Sequence, residues 1–181
     1  AALWELQARF IDRAVELCEE TADRPAEARF HWTCECTAPL EYWLATTTDG
    51  QIGRFRECVA RGQIGAGALH LHYTPLIPAA AFAESLRGLR RLREELGLPL
   101  KVCLSHDVNG LPWPAVNLLR QSGVEMLVMG VNIVFGAHPL TRPLVFNWEG
   151  PDGTQLLCFN AEHYNAFSRE TDFHLGDTGR M

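Results

Sequence analysis

Residues 101–113 read KVCLSHDVNGLPW, and this stretch is the most informative part of the chain about its class of fold. Its apolar beginning, residues 101–105, predicts a short strand that is covered on both faces. Asn109 and Gly110 predict a tight turn, and Pro112 suits the first turn of a helix. A buried strand followed at once by a helix is the repeating unit of parallel α/β folds, so the stretch predicts a fold of that class.

The rest of the chain continues this alternation of strands and helices. Apolar spacing and turn residues predict helices over residues 3–18, 39–47, 52–61, 82–96 and 112–122, and strands over residues 29–33, 64–71, 101–105 and 124–129. Gly62 and Gly97 each follow a helix and suit a left-handed helix end. Residues 150–153 read GPDG, which predicts a hairpin turn between strands at 144–148 and 155–159. The order predicts one α/β domain over residues 1–181 with a mostly parallel sheet, curled toward a barrel or open and doubly wound.

Composition and charge exclude several classes of protein. The chain has 181 residues, of which 47% are hydrophobic and 21% charged, which is typical of a globular domain and not of a disordered segment. The formal charge of −6, with Lys101 as the only lysine, argues against a nucleic-acid-binding surface. The apolar run at residues 124–135 is too short and too interrupted to span a membrane.

The six cysteines favour a reducing compartment. They lie mostly inside apolar segments, no CxxC pair occurs, and their density is low for a disulfide scaffold. We therefore expect buried thiols and a cytoplasmic location. The sequence does not decide between a monomer and a homo-oligomer.

Polar residues follow several of the predicted strands, where parallel α/β folds collect reactive groups. Asp107 follows the strand at residues 101–105, and Trp113 would supply an aromatic wall beside it. A carboxylate at this place is a candidate nucleophile, metal ligand or both. The alternative is that Asp107 or Asn109 only caps the following helix.

Three other segments have two interpretations each. His70 and His72, at a spacing of two, are either a metal-binding pair or ordinary hydrogen-bonded histidines at a strand end. Cys34 and Cys36 are either metal-binding or reactive thiols, or small buried side chains, and we favour burial. Residues 160–165 read NAEHYN, which fits a sugar-binding loop or a surface turn.

Taken in order, these segments resemble the N-terminal catalytic domain of glycoside hydrolase family 38, the α-mannosidase family, and in particular its bacterial branch. The resemblance covers residues 28–164. Its most specific part is DVNGLPW at residues 107–113; RFHWTCE at 29–35, RGQI at 61–64, WEGPDG at 148–153 and EHY at 162–164 support it.

The resemblance implies an incomplete (β/α)7 barrel of the glycoside hydrolase/deacetylase type. It also implies a retaining, α-mannosidase-like hydrolase with a divalent metal ion, most often Zn²⁺. Asp107 matches the family's aspartate that is both nucleophile and metal ligand, and a cation beside it would keep that carboxylate ionised. Asn132, His163 and Tyr164 fall where the family lines its substrate pocket, and with Trp113 they are the candidate substrate-binding residues.

The chain departs from the family pattern at the expected metal ligands. The family's first strand carries a His-x-Asp pair of metal ligands, for which this chain has no equivalent before residue 3. A further histidine ligand lies downstream of this chain's last residue in the family. We therefore expect an internal fragment of a larger catalytic barrel, without the first strand and the C-terminal part, whose metal ligands are completed elsewhere. The alternatives are a metal-dependent polysaccharide deacetylase and a non-catalytic carbohydrate-binding barrel.

Overall fold

The structure is a computed structural model that describes residues 2–108, 110–130 and 145–161. Its helices are α1 (Ala2–Glu20), α2 (Ala38–Thr46), α3 (Asp49–Ala60), α4 (Ala79–Ser85), α5 (Gly88–Leu96) and α6 (Ala115–Gln121), with a 3-10 turn at Ala26–Ala28. Its strands are β1 (Trp32–Cys34), β2 (Ile64–Ala66), β3 (Val102–His106), β4 (Met126–Gly130), β5 (Val145–Glu149) and β6 (Gln155–Ala161). The fold is therefore a mixed α/β fold, as predicted.

The strands are mainly parallel. β1 pairs with β2 in one small sheet, and the second sheet has the order β3-β4-β6-β5. In the second sheet β3, β4 and β6 are parallel, and β5 joins β6 as the antiparallel hairpin predicted around residues 150–153. The Ala68 N–H donates to the Val102 carbonyl over 2.9 Å, which joins the chain after β2 to the start of β3. The chain just after the carboxyl end of β2 therefore lies next to the first residues of β3.

Helical spacing explains how the helices pack. α1 buries Ile11, Ala14, Val15 and Cys18, which lie on one face of the helix. α3 begins at a threonine cap, because the Thr48 hydroxyl accepts a hydrogen bond from the Gln51 N–H. Burial of this kind assembles one apolar core between the helices and the sheets.

Aromatic side chains occupy the centre of this core. Trp43 and Phe55 are both buried, with ring centroids 5.1 Å apart, and the Trp43 indole N–H donates to Asp12 over 2.8 Å. Phe82 is also fully buried. No helix within the described part of the chain is both long enough and apolar enough to cross a bilayer.

The structure differs from two expectations. The helix predicted over residues 82–96 is divided into α4 and α5, and α5 begins at Gly88, where a Cβ atom would lie 2.5 Å from a Glu41 carboxylate oxygen. The strand predicted over residues 64–71 ends at Ala66, because the Gly67 N–H still bonds to Cys34 whereas the next N–H bonds to Val102. Gly62 and Gly97 have φ values of 73° and 72°, which confirms the left-handed helix ends.

Candidate functional site

Polar side chains meet where the parallel strands end. His106 is the last residue of β3 and lies level with Gly130 in β4 and Ala161 in β6. Along β3 the buried residues alternate with partly exposed ones, and His106 belongs to the less covered face. Glu35 follows β1 directly. The candidate site is therefore at the carboxyl edge, where ligands commonly bind in α/β folds.

Asp107 lies at this edge in an unusual backbone conformation. Its φ is 64°, in the left-handed region that non-glycine residues seldom adopt, and its side chain is exposed. The Asp107 N–H donates to the Gly130 carbonyl over 3.0 Å, which extends the pairing of β3 and β4 by one residue. Conformations of this kind cost about 1–3 kcal/mol and cluster at functional sites. Asp107 is not a helix cap in this structure, since α6 begins at Ala115 after Pro114.

Glu35 contacts two histidines that come from other strand ends. Its Oε1 lies 2.5 Å from Nδ1 of His106, and its Oε2 lies 3.5 Å from Nε2 of His72. The three side chains are between about one fifth and one half exposed. This cluster was not predicted from the sequence. The available signal was that each of the three residues comes at or soon after the carboxyl end of a strand.

His70 and His72 do not converge on one point, because the chain has already left β2 before it reaches them. His70 Nδ1 lies 3.1 Å from Glu41 of α2, whereas His72 faces Glu35. Burial alone would raise the pKa of Glu41, but the hydrogen bonds from His70 and Thr37 lower it below its usual value. His70 is thus an ordinary hydrogen-bonded histidine, the second of the two interpretations.

Cys34 is a buried thiol, as favoured from the sequence, whereas Cys36 is partly exposed. The Cys34 thiol donates to the Cys36 carbonyl over 3.1 Å. Burial raises the pKa of Cys34 to about 12, and burial together with the charge of Glu35 raises the pKa of Cys36 to about 11. Thiols protonated at neutral pH are poor nucleophiles and poor metal ligands.

Trp113 contacts the hairpin of β5 and β6. Its indole N–H donates to the Glu149 carbonyl over 2.7 Å, and Glu149 pairs with Gln155 at the start of β6. This contact lies at the amino edge of the sheet, whereas Asp107 follows β3 at the carboxyl edge. An aromatic wall formed by Trp113 beside Asp107 stays a prediction.

The other predicted site residues, Asn132, His163 and Tyr164, lie outside the described residues. Within the ranges 2–108, 110–130 and 145–161, no three His, Cys, Asp or Glu side chains are grouped so that they could hold a metal ion. Two surface grooves border Pro99 and Ser122, at loops that lead into the amino ends of β3 and β4. Neither groove includes the carboxyl edge.

The fold and the polar carboxyl edge of the sheet define the class of protein. It is an α/β domain of mainly parallel strands with polar groups at the carboxyl edge. Comparison with known proteins gives the family. The family described as "Glycosyl hydrolases family 38 N-terminal domain" matches residues 2–176, so the chain belongs to glycosyl hydrolase family 38. The resemblance drawn from the sequence is thereby confirmed at the level of a carbohydrate-acting glycoside hydrolase family. A search of curated protein sequences found no match.

Solved structures share the fold at low sequence identity. A family 38 glycosyl hydrolase from Enterococcus faecalis is 13% identical, with a TM-score of 0.63 over 99% of this chain and 20% of that one. An α-mannosidase from Enterococcus faecalis V583 is 16% identical, with a TM-score of 0.64 over 87% of this chain and 17% of that one. A 4-α-glucanotransferase from Thermococcus litoralis is 18% identical, with a TM-score of 0.60 over 92% of this chain and 27% of that one. This chain thus spans between about a sixth and about a quarter of the length of these structures.

Proposed function

We propose that this chain is part of a metal-dependent retaining glycoside hydrolase that acts on α-mannosides, with Asp107 as the nucleophile. The observation that carries the proposal is the position of Asp107: a carboxylate immediately after β3, in a left-handed conformation, at the edge where three parallel strands end. Family membership supports the reaction class. The α-mannosidase with the same fold supports the choice of sugar.

Asp107 would act by double displacement. A carboxylate oxygen of Asp107 forms a bond to the anomeric carbon while the bond from that carbon to the leaving oxygen breaks. The leaving oxygen takes up a proton from a general acid. Water then attacks the anomeric carbon of the glycosyl ester, the Asp107 carboxylate is released, and the water's second proton passes to a base. Two inversions leave the anomeric configuration retained.

We also propose that Asp107 is one ligand of a Zn²⁺ ion. A carboxylate is an ordinary zinc ligand, so the residue fits, and the remaining ligands would come from residues outside the described ranges. When bound, the ion would supply positive charge that keeps the carboxylate ionised and holds sugar hydroxyl groups.

The whole protein that we propose is a cytoplasmic enzyme built on a (β/α)7 barrel. The hydrogen bond from Ala68 to Val102 supports the barrel, because it links the two small sheets into a single row of strands. The cysteines support the location, since all six are free thiols and five of them are buried.

The test uses the full reading frame that encodes this chain, with Asp107→Asn compared against Asp23→Asn, a control at an exposed aspartate in the turn after α1. We expect Asp107→Asn to reduce hydrolysis of an aryl α-mannoside by at least about 1,000-fold, because no covalent intermediate can form. Zinc content, measured on the same preparations, should fall in Asp107→Asn and not in the control. Equal turnover in both variants would refute the proposal.

Two further measurements on the same proteins would identify the two alternative functions. Release of acetate from an acetylated polysaccharide, without a glycosyl intermediate, would indicate a deacetylase. Unchanged glycan binding by Asp107→Asn, with no turnover by the wild type, would indicate a carbohydrate-binding barrel.

A further inference from the structure

Glu35, His72 and His106 form a cluster that we call the histidine clamp. The three residues come from the ends of three different strand segments, and Glu35 is 71 residues before His106 in the chain. One carboxylate oxygen faces each ring, at 2.5 Å from His106 Nδ1 and 3.5 Å from His72 Nε2. The carboxylate thus bridges the ends of β1, β3 and the segment that follows β2.

The contacts fix the ring of His106. An ionised carboxylate has acceptors only, so the ring nitrogen that faces it carries a hydrogen and donates. A carboxylate behind a histidine is a common way to set the tautomer and the orientation of that ring. His72 contacts the other oxygen of Glu35, and the backbone of His72 also lowers the pKa of the Cys36 thiol that burial raises.

A contribution to folding stability does not by itself explain why these three side chains meet. The Glu35 side chain is 47% exposed, and a contact between polar groups with this much exposure adds little to the stability of a folded protein, because water screens it. The position of the clamp in the chain is more informative about its role, because His106 immediately precedes Asp107. Holding the His106 ring fixes the last residue of β3, from which the chain turns into the left-handed conformation of Asp107.

We propose that Glu35 is a positioning residue for Asp107: through His106 it holds the end of β3 so that the Asp107 carboxylate keeps the geometry of attack. The catalytic consequence rests on the proposed function. Misplacement of a reacting group by about 1 Å lowers a reaction rate by about 100-fold, so loss of the clamp affects the chemical step more than substrate binding.

The first measurement does not need activity. In the full-length protein, hydrogen–deuterium exchange of the Asp107 amide reports on its hydrogen bond to Gly130. We expect Glu35→Gln to accelerate this exchange by at least about 10-fold. The control is Glu125→Gln, which removes a similarly exposed carboxylate that pairs with Lys101 at the amino edge of the same sheet and should leave the exchange unchanged.

The second measurement is the first-order rate constant for covalent labelling of Asp107 by a saturating 2-fluoro mannosyl reagent. This rate constant does not depend on the fraction of active protein, so a partial loss of folding does not change it. We expect a fall of about 10- to 100-fold in Glu35→Gln, a concentration for half-saturation within about threefold of the wild type, and no change in Glu125→Gln.

Each outcome decides one of the two proposals. Unchanged exchange of the Asp107 amide in Glu35→Gln overturns the positioning role, whatever happens to labelling. Accelerated exchange with unchanged labelling also overturns it. Absence of labelling in the wild type refutes the proposed function, and the exchange measurement still decides whether Glu35 holds Asp107. If Glu35→Gln does not fold, Glu35→Asp, which keeps the charge but is too short to reach both rings, takes its place.

Discussion

Gly67 follows β2 directly and lies between the carboxyl end of β1 and the middle of β3. Its N–H donates to the Cys34 carbonyl over 2.8 Å, and a Cβ atom at this position would lie 2.5 Å from the Glu35 carbonyl oxygen and 3.0 Å from Cγ of Leu104. The first of these neighbours is backbone, which cannot move aside without shifting β1. A side chain at Gly67 would therefore disturb the strand end that carries Glu35.

We expect Gly67→Ala to destabilise the protein by about 1–3 kcal/mol, the usual cost of an overpacked site. The matched control is Gly53→Ala inside α3, where a Cβ atom would have no neighbour within 4 Å. That control should stabilise by about 0.5–1 kcal/mol, because alanine favours helix. Urea unfolding of both variants measures the two effects, and a Gly67→Ala variant as stable as the wild type would contradict the close approach.

At the scale of single residues, Asp107 and Glu35 show what could and what could not be predicted from the sequence. The position of Asp107 at the carboxyl edge was predictable, because the residue directly follows an apolar strand. The pairing of Glu35 with His106 was not predictable, because it depends on which strands are neighbours. The hydrogen bond from Trp113 to the Glu149 carbonyl was not predictable either, because it joins residues that are 36 apart in sequence.

At the scale of elements, one ion pair joins α1 to α3. Arg54 Nε donates to one oxygen of Glu19 over 2.8 Å, and its Nη2 contacts the other oxygen, so the pair is bidentate. The hydrogen bonds from Arg54 lower the pKa of Glu19 below its usual value. The carboxylate is therefore more easily ionised in the folded protein than in the unfolded chain.

A lowered pKa in the folded state means that the pair stabilises the fold above the ordinary glutamate value, near pH 4.5, and loses this contribution as the pH falls further. We expect Glu19→Gln to lower the free energy of unfolding by less than about 1 kcal/mol at pH 7, since both side chains are more than one third exposed. The difference from the wild type should shrink as the pH falls below 4.5. Glu16→Gln, which breaks a pair within α1, is the control, and a difference that grows toward low pH would contradict the assignment.

Some helices and strands are predicted well from the sequence and others are not. The helices α1 and α3 follow from apolar spacing because each is amphipathic and packs one face, and the hairpin follows from its turn residues. The break between α4 and α5 did not follow from the apolar spacing, which continues across it, and Gly88 at the start of α5 lies against Glu41, a residue far away in sequence. Local propensity locates elements, whereas their interruptions depend on tertiary contacts.

At the scale of the whole molecule, the cysteines are unreactive thiols, and most of them belong to the apolar core. Five of the six are buried and belong to α1, β1, α3, β3 and β6, so they are distributed through the whole core. Burial raises the pKa of Cys18 and Cys158 to about 11 and that of Cys103 well above its usual value. Cys36 is the partly exposed one, and its pKa is also raised, to about 11.

We therefore expect the folded protein to resist alkylation at pH 7. Only the thiolate reacts, and a rise in the pKa of Cys36 from 9.0 to about 11 reduces its thiolate fraction about 100-fold. Treatment with iodoacetamide, followed by mass mapping of each cysteine, should show labelling of Cys36 at least about 100-fold slower in the native protein than in denaturant. The buried thiols should be slower still, since they react only when the core opens. Labelling of native Cys36 at the rate of the unfolded chain would mean that the end of β1, and with it the neighbouring Glu35, is not held as the histidine clamp requires.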